Sequence, residues 1–297
     1  ERTVLFIDHA APSPQRQLST DHVSMREFGQ QCGCVVSDVG EGVCHQLVAE
    51  GHARPGDVIV GSDSHTVTAG ALGAFATGMG SSDVAVAMAL GKTWFRVPET
   101  ILVWLTGELQ PRVCSKDLIL QLIGQIGADG ATYMALEFAG PGVGALSVSD
   151  RLVVSNMAVE AGAKVGLFPG DEMTRAYLEK RGRAADFRLL HGDADAQYAR
   201  TLEIALDTVE PVVSCPHTVD NVHPVTEMAG TRVDQVFLGT CTNGRIEDLA
   251  LVAGILKGRK KAAGTRLLVA PASREVLLEA IAEGYISTLV EAGGLIL

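Results

Sequence analysis

Three short polar clusters lie just past apolar runs of strand character: Asp8-His9, Asp63-Ser64-His65 and Cys241-Thr242-Asn243. His45 stands in "EGVCHQLVAEG", a segment read as a short turn or helix. Asn156 and Glu160 are spaced i and i+4, which places them on one face of a helix. A carboxylate beside an imidazole fixes its tautomer and favours its charged form. The imidazolium can then protonate a leaving hydroxyl or hold a substrate carboxylate. Several such pairs suit the dehydration of a hydroxy acid. Taken singly, each histidine is more often a structural hydrogen-bonder, and neighbours in sequence such as Asp8 and His9 need not meet in space. The stronger signal is several clusters at strand ends, because ligands of open α/β sheets sit outside the carboxyl ends of the strands.

Other chemistries fit less well. "SDSH" has the residues of a serine hydrolase, but no G-x-S-x-G elbow surrounds Ser64. His9, His45 and His65 have the donor type for zinc. "GAFATGMGSSD" lacks a G-x-G-x-x-G directly after a strand, so it is weak as a dinucleotide loop. Its glycines, with Gly70 and Gly73 before them, read better as room for a ligand behind Asp63-Ser64-His65.

The elements that must position these residues alternate between strand and helix, which argues α/β architecture. Residues 3–7 and "CVVSD" read as strands flanking a helix over 22–32, with Asp21 as N-cap and Gly33 at its end. Residues 57–61 form the strand before Asp63, and a helix capped by Ser81 or Ser82 runs to about Phe95. After Pro98 come a strand in "TILVWLTGEL", a helix capped by Ser115, a strand in "ATYMALEFAG" and a helix capped by Ser149. "PGDEMTRAYLEKRG" is another capped helix, 183–200 a polar linker, and the stretch after Pro211 irregular. "DQVFLGT", "TRLLVAPAS" and "GGLIL" are strands around two further helices. Boundaries fall near residues 98 and 210.

The 297 residues, 47 % hydrophobic and 20 % charged, describe a soluble globular chain without a membrane-spanning run or signal peptide. A net charge of −11 argues against a nucleic-acid partner. It also poses a puzzle if the substrate is an anion. The six cysteines show no C-x-x-C pair or secreted spacing. They read as reduced cytoplasmic thiols, at least four of them buried.

"GSDSHT" at 61–66, "HQ" at 45–46, "SNMAVEAGA" at 155–163 and "GTCTNGRIEDL" at 239–249 together resemble the aconitase superfamily. Within it, the similarity is to the large subunits of the isopropylmalate isomerase and homoaconitase group. The resemblance runs in order along the chain. It implies an aconitase-like fold of three related α/β domains around a central cleft, here 1–98, 99–210 and 211–297. It implies a hydro-lyase that isomerises a hydroxy acid by dehydration and rehydration on a [4Fe-4S] cluster. Cys241 matches the first of three cluster cysteines, with Asn243 adjacent to the cluster. Asp8 and His9 match one acid–histidine pair near the leaving hydroxyl; His45 is implied to pair with Asp63, and His65 with Glu160. Ser64 is implied to contact a substrate carboxylate, and Asn156 to position cluster or substrate. All eight residues, Cys241 and Asn243 aside, are expected on one cleft.

The family's other two cluster cysteines and its N-terminal portion have no match here. The chain therefore reads as truncated at both ends, without a cluster and inactive by itself, with disorder around Cys241. A small subunit carrying a swivelling domain is the implied partner, in a heterodimer or heterotetramer; it would supply the arginines that an acidic large subunit lacks. Isopropylmalate is favoured as substrate because leucine synthesis is the commoner setting. Homoaconitase and dimethylmalate- or citraconate-type activities stay open, with a zinc hydrolase and an RNA-binding regulator as distant alternatives.

Overall fold

Parallel pairing dominates the strands, as the alternating pattern requires, and the α/β class expected from sequence is the one that forms. The computed structural model describes residues 2–297. By its contacts it falls into two compact units. One unit comprises the chain up to Leu47, Ala87–Lys92 and Val233–Leu297; the other comprises Val48–Val86 and Thr93–Arg232.

The discontinuous unit is joined by backbone hydrogen bonds that composition does not announce. Val43 N donates to Ala272 O at 2.9 Å, and Arg274 N to Glu41 O at 2.8 Å. Gly42 lies between them, with φ +142°, and a Cβ there would sit 2.6 Å from the Ser273 Cα. This unit holds the parallel pair Val4–Phe6 and Val35–Ser37, linked by the helix Arg16–Cys32. That helix starts six residues before the expected 22, so Asp21 lies inside it and Gln15 is the N-cap. Its first turns are exposed and polar, so they carry no apolar period to read. The left-handed Gly33 ends it as expected, its N–H bonded to Gly29 O. A second parallel sheet orders Gln235–Leu238, Arg266–Val269 and Leu295–Ile296, with Arg266–Val269 central. The core beneath it joins Leu249, Val269, Val276 and Leu289.

The larger unit is built on a four-stranded parallel sheet in the order Val165–Leu167, Ala135–Ala139, Thr100–Thr106, Arg200–Ala205. Ile101, Val103, Leu105, Leu136 and Phe138 bury against Leu118, Leu122 and Ile123 of the helix Ser115–Ile126. That helix is capped by Cys114 with Asp117, one residue before the expected Ser115. The helix Val148–Met157 is capped by Ser147, not Ser149; Ser147 Oγ accepts from Asp150 N at 3.1 Å. It tightens at Ala158 into a 3₁₀ turn, Ala158–Ala161. The helix Ser81–Leu90 stops at the left-handed Gly91, short of Phe95. Residues after Pro211 are less irregular than expected: Val212–Ser214 and Val222–Pro224 pair antiparallel, and Val212 N donates to Asp117. The expected linker is anchored too, since Arg183 donates to the carbonyls of Ala49, Glu50 and Ala53.

Beside this sheet, Val58–Gly61 and Phe75–Gly78 pair in parallel, joined by a 3₁₀ turn over Ser64–Leu72. Residues 67–72 of the turn are fully buried. Gly70 therefore does not clear space for a ligand. Its backbone lies on the strand Val165–Leu167, where a Cβ would overlap the Gly166 carbonyl, and Phe168 N donates to Gly70 O at 2.9 Å. Gly70→Ala is expected to destabilise the protein by about 1–3 kcal/mol through overpacking against backbone. Gly144→Ala, where nothing lies within 4 Å, should stay within about 0.5 kcal/mol of wild type. Urea unfolding of both variants checks the contrast, and equal midpoints would refute the close-packing role.

Candidate active site

Asp63 ends the strand Val58–Gly61 and starts the 3₁₀ turn. Its Oδ1 accepts from His65 N at 2.7 Å, and its carbonyl accepts from Thr66 Oγ1 at the same distance. This cap fixes where the His65 ring projects. The ring has Asp63 Oδ1 3.6 Å from Nδ1, Ser64 Oγ 3.4 Å from Nδ1, and Glu160 Oε1 3.2 Å from Nε2. His65 is thus flanked by two carboxylates, one local and one from 95 residues along the chain. The hydrogen bond from His65 holds the Glu160 carboxyl below its ordinary value, against the opposing effect of partial burial.

Asn156 and Glu160 do not share a helix face, because the helix tightens between them. Asn156 is fully buried, and its Nδ2 donates to Thr68 Oγ1 at 2.8 Å. Thr68 in turn donates to the His65 carbonyl at 2.6 Å. Asn156 thus sits beneath the turn and supports it. Ser64 is exposed and lines a cavity of about 600 Å³ within this unit, together with Gly78 and Gly80. Gly78 is a close backbone approach like Gly70, since a Cβ there would sit 2.6 Å from the Asp63 carbonyl, and a Cβ on Gly80 would lie 3.1 Å from the Asp83 carboxylate.

In the other unit Asp8 and His9 do meet. Asp8 Oδ1 accepts from His9 Nδ1 at 3.0 Å and from His9 N at 2.9 Å, while Oδ2 accepts from Cys44 N at 2.7 Å. Partial burial pushes the Asp8 carboxyl up, but hydrogen bonds from His9 and Cys44 outweigh it and leave the group below its ordinary value. The Asp8 carboxylate accepting from Nδ1 fixes the tautomer and orientation of the His9 ring. His45 is buried and meets the His9 ring edge-on, with centroids 6.4 Å apart. The expected pairing of His45 with Asp63 joins residues of different units and stays an expectation.

Cys241 lies on the loop between the strand Gln235–Leu238 and the helix Ile246–Leu256. The loop is not loose. Asp248 accepts from Gly244 N at 2.8 Å, Arg245 N at 3.0 Å and Asn243 Nδ2 at 3.1 Å. Arg245, nearly fully buried, donates to Gln46 Oε1 at 2.8 Å and to Thr242 O at 2.6 Å. Disorder around Cys241 is therefore replaced by a loop tied from both sides, and Asn243 helps to tie it. Asp248 was detectable, since it stands three residues after Arg245 at capping-box spacing. The Arg245–Gln46 contact has no local signal across 199 residues. None of the six cysteines is fully buried: Cys32 and Cys114 are exposed and the others half-buried, contrary to the buried-thiol reading. Among the described residues, Asp8, His9 and Cys44 could gather around a metal ion, but Cys241 belongs to no group of three potential ligands.

A sequence model of the aconitase family (aconitate hydratase) matches residues 5–232 and 224–297. The chain is 56 % identical over 292 residues to the 3-isopropylmalate dehydratase large subunit of Elusimicrobium minutum, covering 98 % of this chain and 70 % of that protein. It is 53 % identical over 297 residues to 3-isopropylmalate dehydratase large subunit 2 of Archaeoglobus fulgidus, covering 100 % and 71 %. The homoaconitase large subunit of Thermus thermophilus is 50 % identical over 299 residues, covering 100 % and 70 %.

A carboxyl held below its ordinary value contributes stability that is present above that value and is lost as pH falls through the lowered one. Glu160→Gln should therefore be less stable than wild type near neutral pH, with the difference closing between about pH 5 and pH 3. Unfolding midpoints across that range test this. A difference that stays constant with pH would show that the ionised Glu160 contributes nothing.

Proposed function

The chain belongs to the aconitase family, and from that premise we propose that it is the large subunit of a hydro-lyase isomerising a hydroxy di- or tricarboxylic acid by dehydration and rehydration. The favoured substrate is 3-isopropylmalate, the acid named in most of the similar relatives. The homoaconitase relative at 50 % identity keeps a longer tricarboxylate as the second reading. The observation that carries the proposal is His65 held at a strand end between Asp63 and Glu160, with Ser64 opening onto a cavity.

In this reading each acid–imidazole pair manages a proton. Asp8 holds the Nδ1 proton of His9, so that Nε2 can give a proton to a departing hydroxyl and recover it on rehydration. His65, flanked by Asp63 and Glu160, handles the second proton. His45 and Asp63 are proposed as a further pair, and Ser64 as a donor to a substrate carboxylate. Asn156 acts through Thr68 on the His65 turn.

The family implies an iron–sulfur cluster, which polarises a bound hydroxyl as a Lewis acid. Cys241 suits one ligand position, half-buried on a fixed loop just before a helix. A cubane needs more thiolates than one. Because Cys241 stands in no group of three ligands among the described residues, we propose that these 297 residues do not hold the cluster alone, and we assign no step to it. The relatives are called large subunits, which supports a small subunit as partner, completing the site and supplying cationic groups. Six free thiols support a reducing, cytoplasmic setting. Among the described residues no helix is long and apolar enough to cross a membrane.

His65→Ala, made in the enzyme assembled with its small subunit, should lower kcat about 10²–10⁴-fold. Its unfolding midpoint should barely move, because a half-buried polar ring at a strand end adds little core packing. Near-normal turnover with a lowered midpoint would make His65 structural and remove the central support of this reading.

A further inference from the structure

The cavity beside Ser64 carries a feature that the proton-handling pairs do not use. Lys164, half-buried and placed just before the strand Val165–Leu167, is its only cationic lining residue among those described. The Lys164 ammonium forms no ion pair among the described residues and lies over the Tyr133 ring, 5.0 Å from its centroid. A partly desolvated ammonium without a counter-charge is costly, and an aromatic face offsets only part of that cost. Tyr133 is itself held in the left-handed region at φ +58°, where a bulky residue persists only if its surroundings impose it. They do so here: Tyr133 N donates to Gly162 O at 3.1 Å, and Lys164 N to Met134 O at 2.8 Å. The backbone at Tyr133 and Lys164 is thus held by these two contacts, and the ammonium over the ring joins their side chains.

We infer that this cavity is a carboxylate-binding site, with Lys164 as the counter-charge, Ser64 and Ser62 as neutral donors, and Tyr133 as the platform that aims the ammonium. Its volume of about 600 Å³ admits a small di- or tricarboxylate. Asp83 is the one acidic lining residue among those described. An anion is therefore admitted toward Lys164 and Ser64 and turned away from the start of the helix Ser81–Leu90. The identification of the ligand as the substrate's own carboxylate rests on the proposed hydro-lyase function. The cation and its cavity do not.

Two measurements separate these. Calorimetric titration of the full chain with tricarballylate, a non-reacting tricarboxylate, should show binding to wild type. Losing one charge-assisted hydrogen bond, worth about 1.5–3 kcal/mol, corresponds to roughly 10–100-fold weaker binding for Lys164→Met. Lys164→Arg should keep most of the affinity, and both variants should keep the wild-type unfolding midpoint. In the enzyme assembled with its small subunit, Lys164→Met should raise KM by a similar factor while kcat changes little. No binding to wild type, or equal affinities for wild type and Lys164→Met, would overturn the site. If Lys164-dependent binding persists while the assembled wild type turns over neither isopropylmalate nor homocitrate-type acids, the site stands and the hydro-lyase reading fails instead.

Discussion

The close approach of two backbones, Gly70 on the turn and Gly166 on the strand Val165–Leu167, sets the position of everything around His65. No side chain intervenes, so Phe168 N can reach Gly70 O, and Ser155 Oγ can reach Gly166 O from the other side. The turn is then near enough for Asn156 to donate to Thr68, and Thr68 to hold the His65 carbonyl. Glu160 arrives from the continuation of the same helix. A turn lifted away by the width of one methyl group would break this sequence of hydrogen bonds, because their directions tolerate little displacement. A contact between two glycines far from any chemistry thus determines the geometry of an acid–imidazole pair.

The other unit solves a similar problem with side chains. Its loop after Leu238 must turn sharply, and Gly244 allows this because a Cβ there would overlap the Ala270 carbonyl. Asp248 then collects the N–H groups at the start of the helix, while Arg245 is buried and anchored to Gln46. A buried guanidinium is expensive unless its donors are used. Here that requirement works as a constraint, locking the segment that bears Cys241 to the segment that bears His45. The loop is thus tied to its own chain from both sides.

Much of this was legible in the sequence, for identifiable reasons. The strand before Asp63, the left-handed stop at Gly33 and the capped helix in "PGDEMTRAYLEKRG" were readable because each depends on residues within a few positions. Helix starts were read less well. The first turns of Arg16–Cys32 are polar and exposed, and two neighbouring serines at 147 and 149 both have the right chemistry for a cap. The shared face of Asn156 and Glu160 failed for a subtler cause: spacing predicts a face only if the helix stays α, and it tightens at Ala158. Gly70 was misread because a glycine gives the same signal whether it admits a ligand or a second backbone. The pairing of His65 with Glu160 was available only through the family resemblance, since nothing local links residues 95 apart.

The negative charge of the chain does not oppose an anionic substrate once the carboxylates are followed individually. Asp8 is occupied by His9 and by Cys44 N, Asp248 by three donors, Asp171 by the buried Arg151, and Glu160 by His65. Each is engaged by donors within a few ångströms, and at the ionic strength of a cell the field of exposed charges fades over about 8 Å. In the larger unit the Ser64 hydroxyl and Lys164 line one cavity, and His65 lies beside Ser64. Acidic residues here orient imidazoles and collect backbone N–H groups, so a chain that is acidic overall still places an ammonium and a hydroxyl on one cavity.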